Sequence, residues 1–473
     1  HKIYISNSIR AVEKIPEDDF YRIDTVDYPS NTGDNVPYSH TPANMALYWD
    51  APAISEYLST VDSGWLEFNH LLGNNSGYFR RMCTYSNDNR ARMDFLLGVK
   101  YFLGSDSKKE IASDYSKYAG YGFRKNSKSK GVAILKSAYN AGLGYVYDSV
   151  IADTDLLNYS QLEREQILMQ SAEVKEEDLD TLQRTPKQSL SEISLENTKQ
   201  IPYQLSAGDG MKLSGNGFSL EKPSTLTIQL NQTVTNSEIY VVFKNLKKQN
   251  FNKEKLWKMS LQEQAGDKLQ RNQFNLSRMS RVDYGNFSIT ITRGGITKRV
   301  LNAEGEPQGI RDVEDYIVNT GYVDQYTGKI KCNFETIGKY SYDDIQILAV
   351  PMENFAEQAS ALEQHRLQVT RYGNDRIEGN IDTEQGGLLY LSIFYDSGWD
   401  IYIDGKKADK TYRVNTAFMG VEVSEGYHDI VMKFQPLGAP YTYLVFGVGV
   451  ISAGLLYYLS RRKRTHQKEK TKA

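Results

Sequence analysis

The sequence predicts an α+β protein that ends in one membrane-spanning helix. Three observations support this prediction. Apolar residues recur at helical spacing within the first 150 residues, period-two alternation dominates from about residue 200, and one long uncharged run lies near the C-terminus. These patterns are typical of amphipathic helices, half-buried strands and a bilayer span, in that order. At 473 residues the chain is long enough for several domains.

Residues 1–155 are predicted to form a mixed α/β domain outside the membrane. The alternating run 21–24 suits a strand, and the apolar spacing of 64–73 suits a helix. Residues 54–58 have helical spacing as well. The segment 90–103 begins with a helical pattern and continues as an apolar run typical of a strand. We therefore expect short helices and strands to alternate here.

Residues 156–200 are predicted to be a connecting helix followed by a linker. Leucines recur at roughly helical intervals at the start of this segment, and residues 173–177 form a dense acidic cluster. The stretch up to residue 199 is polar and rich in Ser, Glu and Gln. This change in composition indicates a boundary between domains.

Residues 201–355 are predicted to form an antiparallel β-sandwich of jelly-roll type. The segments 224–230 and 285–292 alternate cleanly between apolar and polar residues. Repeated short strands separated by Gly, Asn and Lys turns are typical of such sandwiches. Sandwiches of this kind often bind sugars, but the fold alone does not establish that function.

Residues 356–438 are predicted to form a small β-rich unit that begins with a short helix over 355–367. Several strand patterns follow, and the Asp404–Gly405 dipeptide between two of them is a hairpin-turn signal. This unit leads directly into the membrane helix.

Residues 440–460 are predicted to span the membrane. The run 441–459 has no charged residue, and some 20 apolar residues match a bilayer core of roughly 30 Å. Tyrosines lie at both ends, and the basic residues 461–464 follow directly. The basic side should be cytoplasmic, so the tail 461–473 lies inside and the preceding residues lie outside the cell. The alternative is a buried core helix of a soluble domain.

The chain begins without a recognisable signal peptide at His1. A protein with a C-terminal anchor and an exterior N-terminus needs a segment that carries it across the membrane. We therefore expect the natural protein to have an upstream part with export or membrane segments. We also expect Gly447, Gly449 and Gly454 to pack closely against other membrane helices.

The charge distribution argues against nucleic acid as a partner. The formal net charge is -3, but the tail after Ser460 holds seven of the 56 Lys and Arg residues and one of the 59 Asp and Glu residues. That leaves a net charge of -9 on the rest of the chain. An acidic exterior disfavours nucleic acid and leaves sugar binding open.

The two cysteines, Cys83 and Cys332, are too few for a fold that depends on disulfides. One long-range bridge between them remains open at this point. The scattered histidines and cysteines show no spacing typical of zinc ligands, so the sequence predicts no metal site.

Two tryptophans are candidates for sugar contacts. Trp49 and Trp65 lie in the first domain, where flat aromatic faces could stack on sugar rings. The competing interpretation is ordinary core packing.

Four arginines in the same domain are candidates for an anionic acceptor such as a phosphate polymer. They form the pairs Arg80 with Arg81 and Arg90 with Arg92. The competing interpretation is a solvated surface position.

No residue of this chain is predicted to be catalytic or to bind a cofactor. No P-loop, GxSxG or dinucleotide motif appears in the right context. Asp153 and Asp155 offer two carboxylates two residues apart, but helix capping explains them better than catalysis.

The segment 388–436 resembles the C-terminal part of the YfhO family of bacterial membrane proteins. Five short motifs in fixed order carry this resemblance. They are YDSGW at 395–399, YIDGKK at 402–407, VNTAFMG at 414–420, EGYH at 425–428 and FQP at 434–436. The runs FYRI at 20–23 and LLGVKYFL at 96–103 are similar to the family's first exterior domain.

The resemblance implies a multi-spanning glycosyltransferase that uses a polyprenyl-phosphate sugar donor. Such proteins have many N-terminal membrane helices, an exterior region and a final membrane helix. They are linked to the glycosylation of teichoic acids or wall polysaccharides of Gram-positive bacteria. Their catalytic acid lies in an early exterior loop that has no counterpart in this chain, so no catalytic residue is carried over.

The expected function is therefore that of the exterior C-terminal part of a membrane glycosyltransferase. This part would recognise the glycopolymer acceptor and cover an active site in the missing N-terminal membrane region. The alternative is a non-catalytic, membrane-anchored surface protein that binds carbohydrate. A polysaccharide hydrolase is a third hypothesis, which requires two carboxylates about 5 to 10 Å apart in a cleft.

Overall fold

The structure is a computed structural model. It describes residues 2–16, 19–25, 45–54, 56–57, 62–74, 79–80, 83–84, 87–105, 120–129, 131–249, 287–302, 313, 315–436 and 438–470.

The helices of the described residues are short except for the last one. They are α1 (Lys2–Val12), α2 (Met45–Trp49), α3 (Ser63–Leu71), α4 (Ala91–Leu96), α5 (Asp153–Leu156), α6 (Gln161–Leu168), α7 (Phe355–Gln364) and α8 (Ala439–Lys470), with 3-10 helices over Glu176–Thr181 and Leu190–Glu192.

The strands make up most of the fold. Those before residue 250 are β1 (Arg22–Thr25), β2 (Glu56–Tyr57), β3 (Phe79–Arg80), β4 (Cys83–Thr84), β5 (Val99–Ser105), β6 (Phe123–Ser129), β7 (Val132–Ser137), β8 (Gly144–Tyr147), β9 (Val150–Ala152), β10 (Ala172–Val174), β11 (Lys199–Gln200), β12 (Tyr203–Ala207), β13 (Met211–Leu213), β14 (Gly217–Leu220), β15 (Ser224–Leu230), β16 (Val234–Lys244) and β17 (Lys247–Lys248). Those after residue 286 are β18 (Phe287–Arg293), β19 (Ile296–Asn302), β20 (Tyr316–Tyr326), β21 (Lys329–Phe334), β22 (Gly338–Ser341), β23 (Asp344–Pro351), β24 (Gln368–Tyr372), β25 (Arg376–Thr383), β26 (Gly387–Phe394), β27 (Trp399–Ile403), β28 (Lys406–Lys407), β29 (Tyr412–Val414), β30 (Phe418–Val423) and β31 (Gly426–Phe434).

The predicted β-sandwich is present. One sheet has the strand order β11-β23-β16-β20 and the other β12-β15-β21-β18-β19, and their inner faces share one apolar core. Strand β15 shows why the pattern was informative, since Leu226, Ile228 and Leu230 are buried while Thr227 and Gln229 between them are half-buried. Each such buried side chain stabilises the fold by roughly 1.5–3 kcal/mol.

A six-stranded sheet lies at the centre of the other half of the molecule. Its order is β8-β26-β30-β29-β10-β9, so it joins strands from 144–174 with strands from 387–423. One face packs against helices α3, α4 and α6, and the opposite face shares a core with a five-stranded sheet of order β24-β25-β31-β27-β28. Burial on both faces explains the near-continuous apolar sequence of β26. The sheet crosses the boundaries predicted at residues 155 and 356.

A four-stranded sheet of order β1-β5-β7-β6 completes the N-terminal region. Strand β1 pairs in parallel with β5, and helix α1 packs on this sheet. The predicted strand near 21–24 and the predicted helix-to-strand passage at 90–103 are both confirmed as β1, α4 and β5.

Two local predictions were wrong. Residues 56–57 form strand β2 instead of a helix, because they pair with Cys83–Thr84. The acidic cluster at 173–177 does not begin a linker, because Ala172–Val174 form the buried strand β10 beside β9 and β29.

The Asp404–Gly405 hairpin turn is confirmed. Asp404 and Gly405 have φ angles of 50° and 78°, as a type I′ turn between β27 and β28 requires. Asp404 Oδ2 lies 2.7 Å from Nδ1 of His428 on β31. Two of the five motifs, YIDGKK and EGYH, therefore meet at this hydrogen bond.

The C-terminal helix α8 has no apolar partner within the described part of the chain. Its window Leu444–Arg461 is long and apolar enough to cross a bilayer, and none of that window is buried. Within the described part of the chain, this segment is therefore not a buried core helix. A Cβ added at Gly447, Gly449 or Gly454 would meet open space, so the predicted close packing there stays a prediction.

Cys332 is a free, buried thiol on β21, so it forms no bridge to Cys83. Burial raises the pKa of the Cys332 thiol well above its usual value. The side chain of Cys83 lies outside the described part of the structure.

Candidate functional site

The candidate site is built around the turn 415–417 that joins β29 to β30. Asn415 and Thr416 have φ angles of 46° and 65°. This left-handed region is unfavourable for residues other than glycine, most of all for a β-branched residue such as threonine. Strain of this kind persists where the surroundings fix the backbone, and it clusters at functional sites.

Strand β10 fixes the turn through reciprocal hydrogen bonds. The backbone N–H of Asn415 donates to the carbonyl oxygen of Glu173 (2.8 Å), and the N–H of Glu173 donates to Asn415 Oδ1 (2.9 Å). Asn415 Nδ2 donates to the hydroxyl oxygen of Tyr147 (3.3 Å). Asn415 is fully buried, so these bonds are shielded from water.

The carboxyl group of Glu173 lies against this turn. Thr416 Oγ1 donates to Glu173 Oε2 across 3.0 Å, and Glu173 is only 4% exposed. Burial raises the pKa of Glu173 to about 7, the Thr416 hydrogen bond opposes the rise, and the nearby Asp153 carboxylate adds to it. Glu173 therefore changes its protonation state near neutral pH, a property found often, but not only, at functional sites.

A cleft of about 680 Å³ opens beside Glu173 and Thr416. Asp153, Tyr395 and Arg413 line it as well. The cleft combines carboxylates, which accept hydrogen bonds from hydroxyl groups, with an aromatic ring and cations. This set of groups suits a hydroxyl-rich ligand that also carries negative charge.

The cations of the cleft are held in place by neighbouring groups. The Arg413 guanidinium lies 5.1 Å from the centre of the Tyr395 ring. Lys410 Nζ lies 2.7 Å from Asp178 Oδ1 and 4.8 Å from the centre of the Tyr412 ring. These contacts orient the cations before any ligand binds, which lowers the entropic cost of binding.

A smaller aromatic cavity of about 240 Å³ is lined by Phe418, the residue directly after the same turn. Trp65, Phe394 and Phe418 line it, and the ring centres of Trp65 and Phe394 are 5.9 Å apart. Arg22 reaches its rim and donates to the carbonyl oxygens of Leu97 (2.6 Å) and Ser392 (2.7 Å). The cavity thus brings together residues from three segments. They come from the motifs FYRI and VNTAFMG and from the strand before YDSGW.

The two predicted tryptophans lie in different places. Trp49 is 6% exposed and packs in the core under α1, where its indole N–H donates to Ser8 Oγ across 3.0 Å. Trp65 is 5% exposed but lines the aromatic cavity next to the 415–417 turn. Sugar contact by either residue stays a prediction. Arg81 and the side chain of Arg80 lie outside the described residues.

The prediction that Arg90 and Arg92 are solvated or pair with an anionic acceptor was wrong. Arg90 is fully buried, lies 2.8 Å from Glu165 Oε1 and donates to the carbonyl oxygen of Leu72 (2.7 Å). Arg92 lies 2.6 Å from Glu196 Oε2. Both guanidinium groups join distant segments instead of facing solvent.

Sequence reasoning missed the role of Glu173 and the strained turn. Asp153 was interpreted as a helix-capping residue, and the acidic cluster 173–177 was interpreted as part of a linker. The VNTAFMG motif was noted without its geometry, and the Asn-Thr pair within it was the available signal, because asparagine tolerates the left-handed region. Among the described residues, no three His, Cys, Asp or Glu side chains are placed to hold a metal ion.

The chain is similar to solved structures of the arabinofuranosyltransferase AftD from mycobacteria. One cryo-EM structure of a mutant form aligns at 9% identity with a TM-score of 0.36, covering 91% of this chain and 63% of that one. Another AftD structure aligns at 9% identity with a TM-score of 0.15, covering 50% of this chain and 22% of that one. The chain thus spans less than two thirds of the first AftD structure, and these likenesses are too weak to transfer an activity.

No curated protein matches the chain in sequence. The model of a family described as bacterial membrane protein YfhO matches residues 3–446. That range includes all the described sheets, the 415–417 turn and the start of the apolar helix. Because the match covers nearly the whole chain, the chain belongs to the YfhO family of bacterial membrane proteins.

Proposed function

We propose that this chain is the exterior part and final span of a membrane glycosyltransferase. The complete protein would transfer a sugar from a polyprenyl-phosphate donor to a cell-surface polymer such as a teichoic acid or a wall polysaccharide. This part would recognise the acceptor in the cleft beside Glu173 and cover the membrane-embedded active site. Membership of a family of membrane proteins and the apolar helix α8 support the membrane location.

The proposed orientation places residues 1–439 outside the cell. Arg461 ends the apolar window, and Arg462, Lys463 and Arg464 follow it. Basic residues flank spans on the cytoplasmic side. The sheets and the cleft then lie on the side where surface polymers are glycosylated in a Gram-positive bacterium.

The composition of the Glu173 cleft is the observation that carries the proposed acceptor role. The carboxylates of Asp153 and Glu173 can accept hydrogen bonds from sugar hydroxyl groups, and the Tyr395 ring can contact a sugar face. Arg413 supplies a planar cation suited to a phosphate group of the polymer. A glycopolymer that carries phosphate offers all of these groups together.

The acceptor role is tested with strains that express only a Tyr395 variant. We expect Tyr395→Ala to lower the glycan content of the surface polymer at least several-fold, because the ring and the Arg413 contact are lost together. Tyr395→Phe keeps the ring and should retain most of the glycan. Tyr427→Ala is the matched control, since this tyrosine is 60% exposed and lies outside the cleft.

Thermal unfolding of the purified variants checks that each one folds. Equal glycan content in the Tyr395→Ala and Tyr427→Ala strains, with both proteins folded, would contradict acceptor recognition in this cleft. Glycan loss in the Tyr427→Ala strain as well would show that the loss is not specific to substitutions in the cleft.

A further inference from the structure

A second groove of about 530 Å³ lies between helix α7 and strand β8. None of its lining residues lines the Glu173 cleft. We propose that this groove is a binding site for an uncharged oligosaccharide. The proposal concerns binding alone and holds whether or not the complete protein is a transferase.

Side-chain amides are the most frequent polar groups in the lining of this groove. They belong to Gln170, Gln188, Asn354, Gln358, Gln364 and Gln385. An amide carries both donors and acceptors, as a sugar hydroxyl does, so the two kinds of group pair in either direction. A row of amides therefore matches the closely spaced hydroxyl groups of a sugar ring.

Part of this lining is rigid before any ligand binds. Gln170 Nε2 donates to the carbonyl oxygens of Gln166 (3.0 Å) and Ser194 (2.9 Å), and Gln170 Oε1 accepts from the N–H of Ser194 (2.9 Å). These bonds fix one wall of the groove. The other polar groups of the lining therefore lie on a preformed surface, which lowers the entropic cost of binding a ligand.

Two buried polar atoms of the groove lack a hydrogen-bond partner. They are Gln358 Oε1 on α7 and His365 Nδ1 just after that helix. Buried polar atoms in native proteins are nearly always paired, so such atoms indicate a missing partner. Both side chains are half-buried and line the groove, so rotation of each side chain toward the groove would let a sugar hydroxyl group pair with these atoms.

The charges of the groove disfavour an anionic ligand. Asp148, Glu357 and Glu384 line it, and no lysine or arginine does so within the described part of the chain. These carboxylates would repel a phosphate group. The groove therefore differs in its ligand preference from the Glu173 cleft, where Arg413 can pair with phosphate. Carboxylates form strong hydrogen bonds with neutral hydroxyl groups, so an uncharged sugar is accepted.

The apolar part of the lining suits a sugar better than a base or an aromatic side chain. Val146, Met169 and Leu362 can contact the C–H face of a sugar ring, while the described lining has no Phe, Tyr or Trp ring to stack on a flat ligand. Binding by hydrogen bonds without stacking is weak, and we expect a dissociation constant on the order of 1 mM for a disaccharide.

Saturation-transfer NMR on the full chain tests the proposal. The chain is placed in lipid nanodiscs, because sugar-based detergents would compete, and is titrated with maltose, cellobiose, lactose and gentiobiose. We expect at least one of these disaccharides to bind. Gln358→Ala should weaken that binding roughly tenfold, as expected when a buried hydrogen-bond acceptor is removed.

A pair of substitutions on α7 separates loss of the groove from loss of the fold. Ala361 is exposed and lines the groove, whereas the adjacent Ser360 is exposed and does not line it. Ala361→Trp should fill the groove and abolish the saturation-transfer signal, while Ser360→Trp should leave it unchanged.

Three outcomes would overturn the proposal. One is that none of the four disaccharides gives a signal with the wild-type chain. The second is that Ala361→Trp binds the disaccharide as well as Ser360→Trp does. The third is that a lysine-rich peptide binds while none of the sugars does, and that Ala361→Trp abolishes the binding of the peptide. This result would show that the carboxylates of the groove bind a cationic peptide.

Discussion

Thr416 donates its hydroxyl hydrogen to Oε2 of the buried Glu173 carboxyl across 3.0 Å. This bond joins a strained turn of the VNTAFMG motif to a short strand some 240 residues earlier in the chain. Both residues line the cleft to which we assign acceptor recognition.

Glu173 should make the stability of the protein depend on pH near neutrality. Burial raises the pKa of Glu173 from 4.5 to about 7, so the folded state holds a proton there that the unfolded chain has released. The stability contributed by this proton is complete below a pH of about 4.5 and is lost as the pH rises through about 7. Relative to Glu173→Gln, the wild type should lose up to about 3 kcal/mol between about pH 5 and about pH 8.

Urea unfolding of both proteins at several pH values measures this difference. Other buried carboxyl groups also titrate, but they are present in both proteins. Their contributions to the free energy of unfolding therefore cancel in the comparison. A difference in unfolding free energy that stays constant from pH 5 to pH 8 would show that Glu173 does not titrate in this range.

The Thr416 hydroxyl should be needed to stabilise the buried carboxyl group. Thr416→Val keeps the β-branched shape and the backbone strain but removes the donor, so we expect a loss of about 1–3 kcal/mol. Thr416→Ser keeps the donor and should lose much less. The free energy of unfolding at pH 8 compares the two variants, and an equal loss for both would refute a role for the hydrogen bond.

Removal of Arg90 should destabilise the junction between the N-terminal region and the β-sandwich. Its guanidinium donates to carbonyl oxygens of Leu72 and Ile317 and lies 2.8 Å from Glu165 Oε1. Arg90→Met would leave a buried carboxyl group and these carbonyls without their partner, at a cost of about 3–5 kcal/mol.

The exposed pair Lys212–Glu221 is the matched control for Arg90. Its side chains are 74% and 54% exposed, so Lys212→Met should cost less than about 1 kcal/mol. Chemical unfolding at neutral pH measures both changes. A loss at Arg90 no larger than the loss at Lys212 would contradict a structural role for the buried pair.

Cys332 should resist thiol reagents in the folded protein. It is fully buried, and burial raises the pKa of its thiol, so the reactive thiolate is scarce and shielded. In a Cys83→Ser variant, we expect maleimide to label the chain only after denaturation. Labelling of the folded variant at the rate of a free thiol would show that β21 opens readily.

The sequence predicted the elements whose pattern is local. Strand β15 follows its period-two alternation, helix α7 follows its apolar spacing, and the Asp404–Gly405 turn follows its dipeptide. Each of these three elements is specified by residues that are neighbours in the chain. A single sequence is therefore sufficient to predict them.

The features that the sequence did not predict depend on distant partners. Strand β10 has three residues and is buried only because β9 and β29 lie beside it. Arg90 has the composition of a surface residue, and its partner Glu165 lies 75 positions away in sequence. The Glu173 cleft is missed for the same reason, since its walls come from segments that only the six-stranded sheet brings together.

The glycan content of surface polymers in a strain that lacks this protein tests the central claim most directly. The polymer is purified from the wild type, from the deletion strain and from the deletion strain carrying the gene again, and its sugars are quantified. The proposed function predicts loss of one sugar substituent in the deletion strain and its return on complementation. An unchanged polymer in the deletion strain would contradict the transferase and favour a non-catalytic carbohydrate-binding protein.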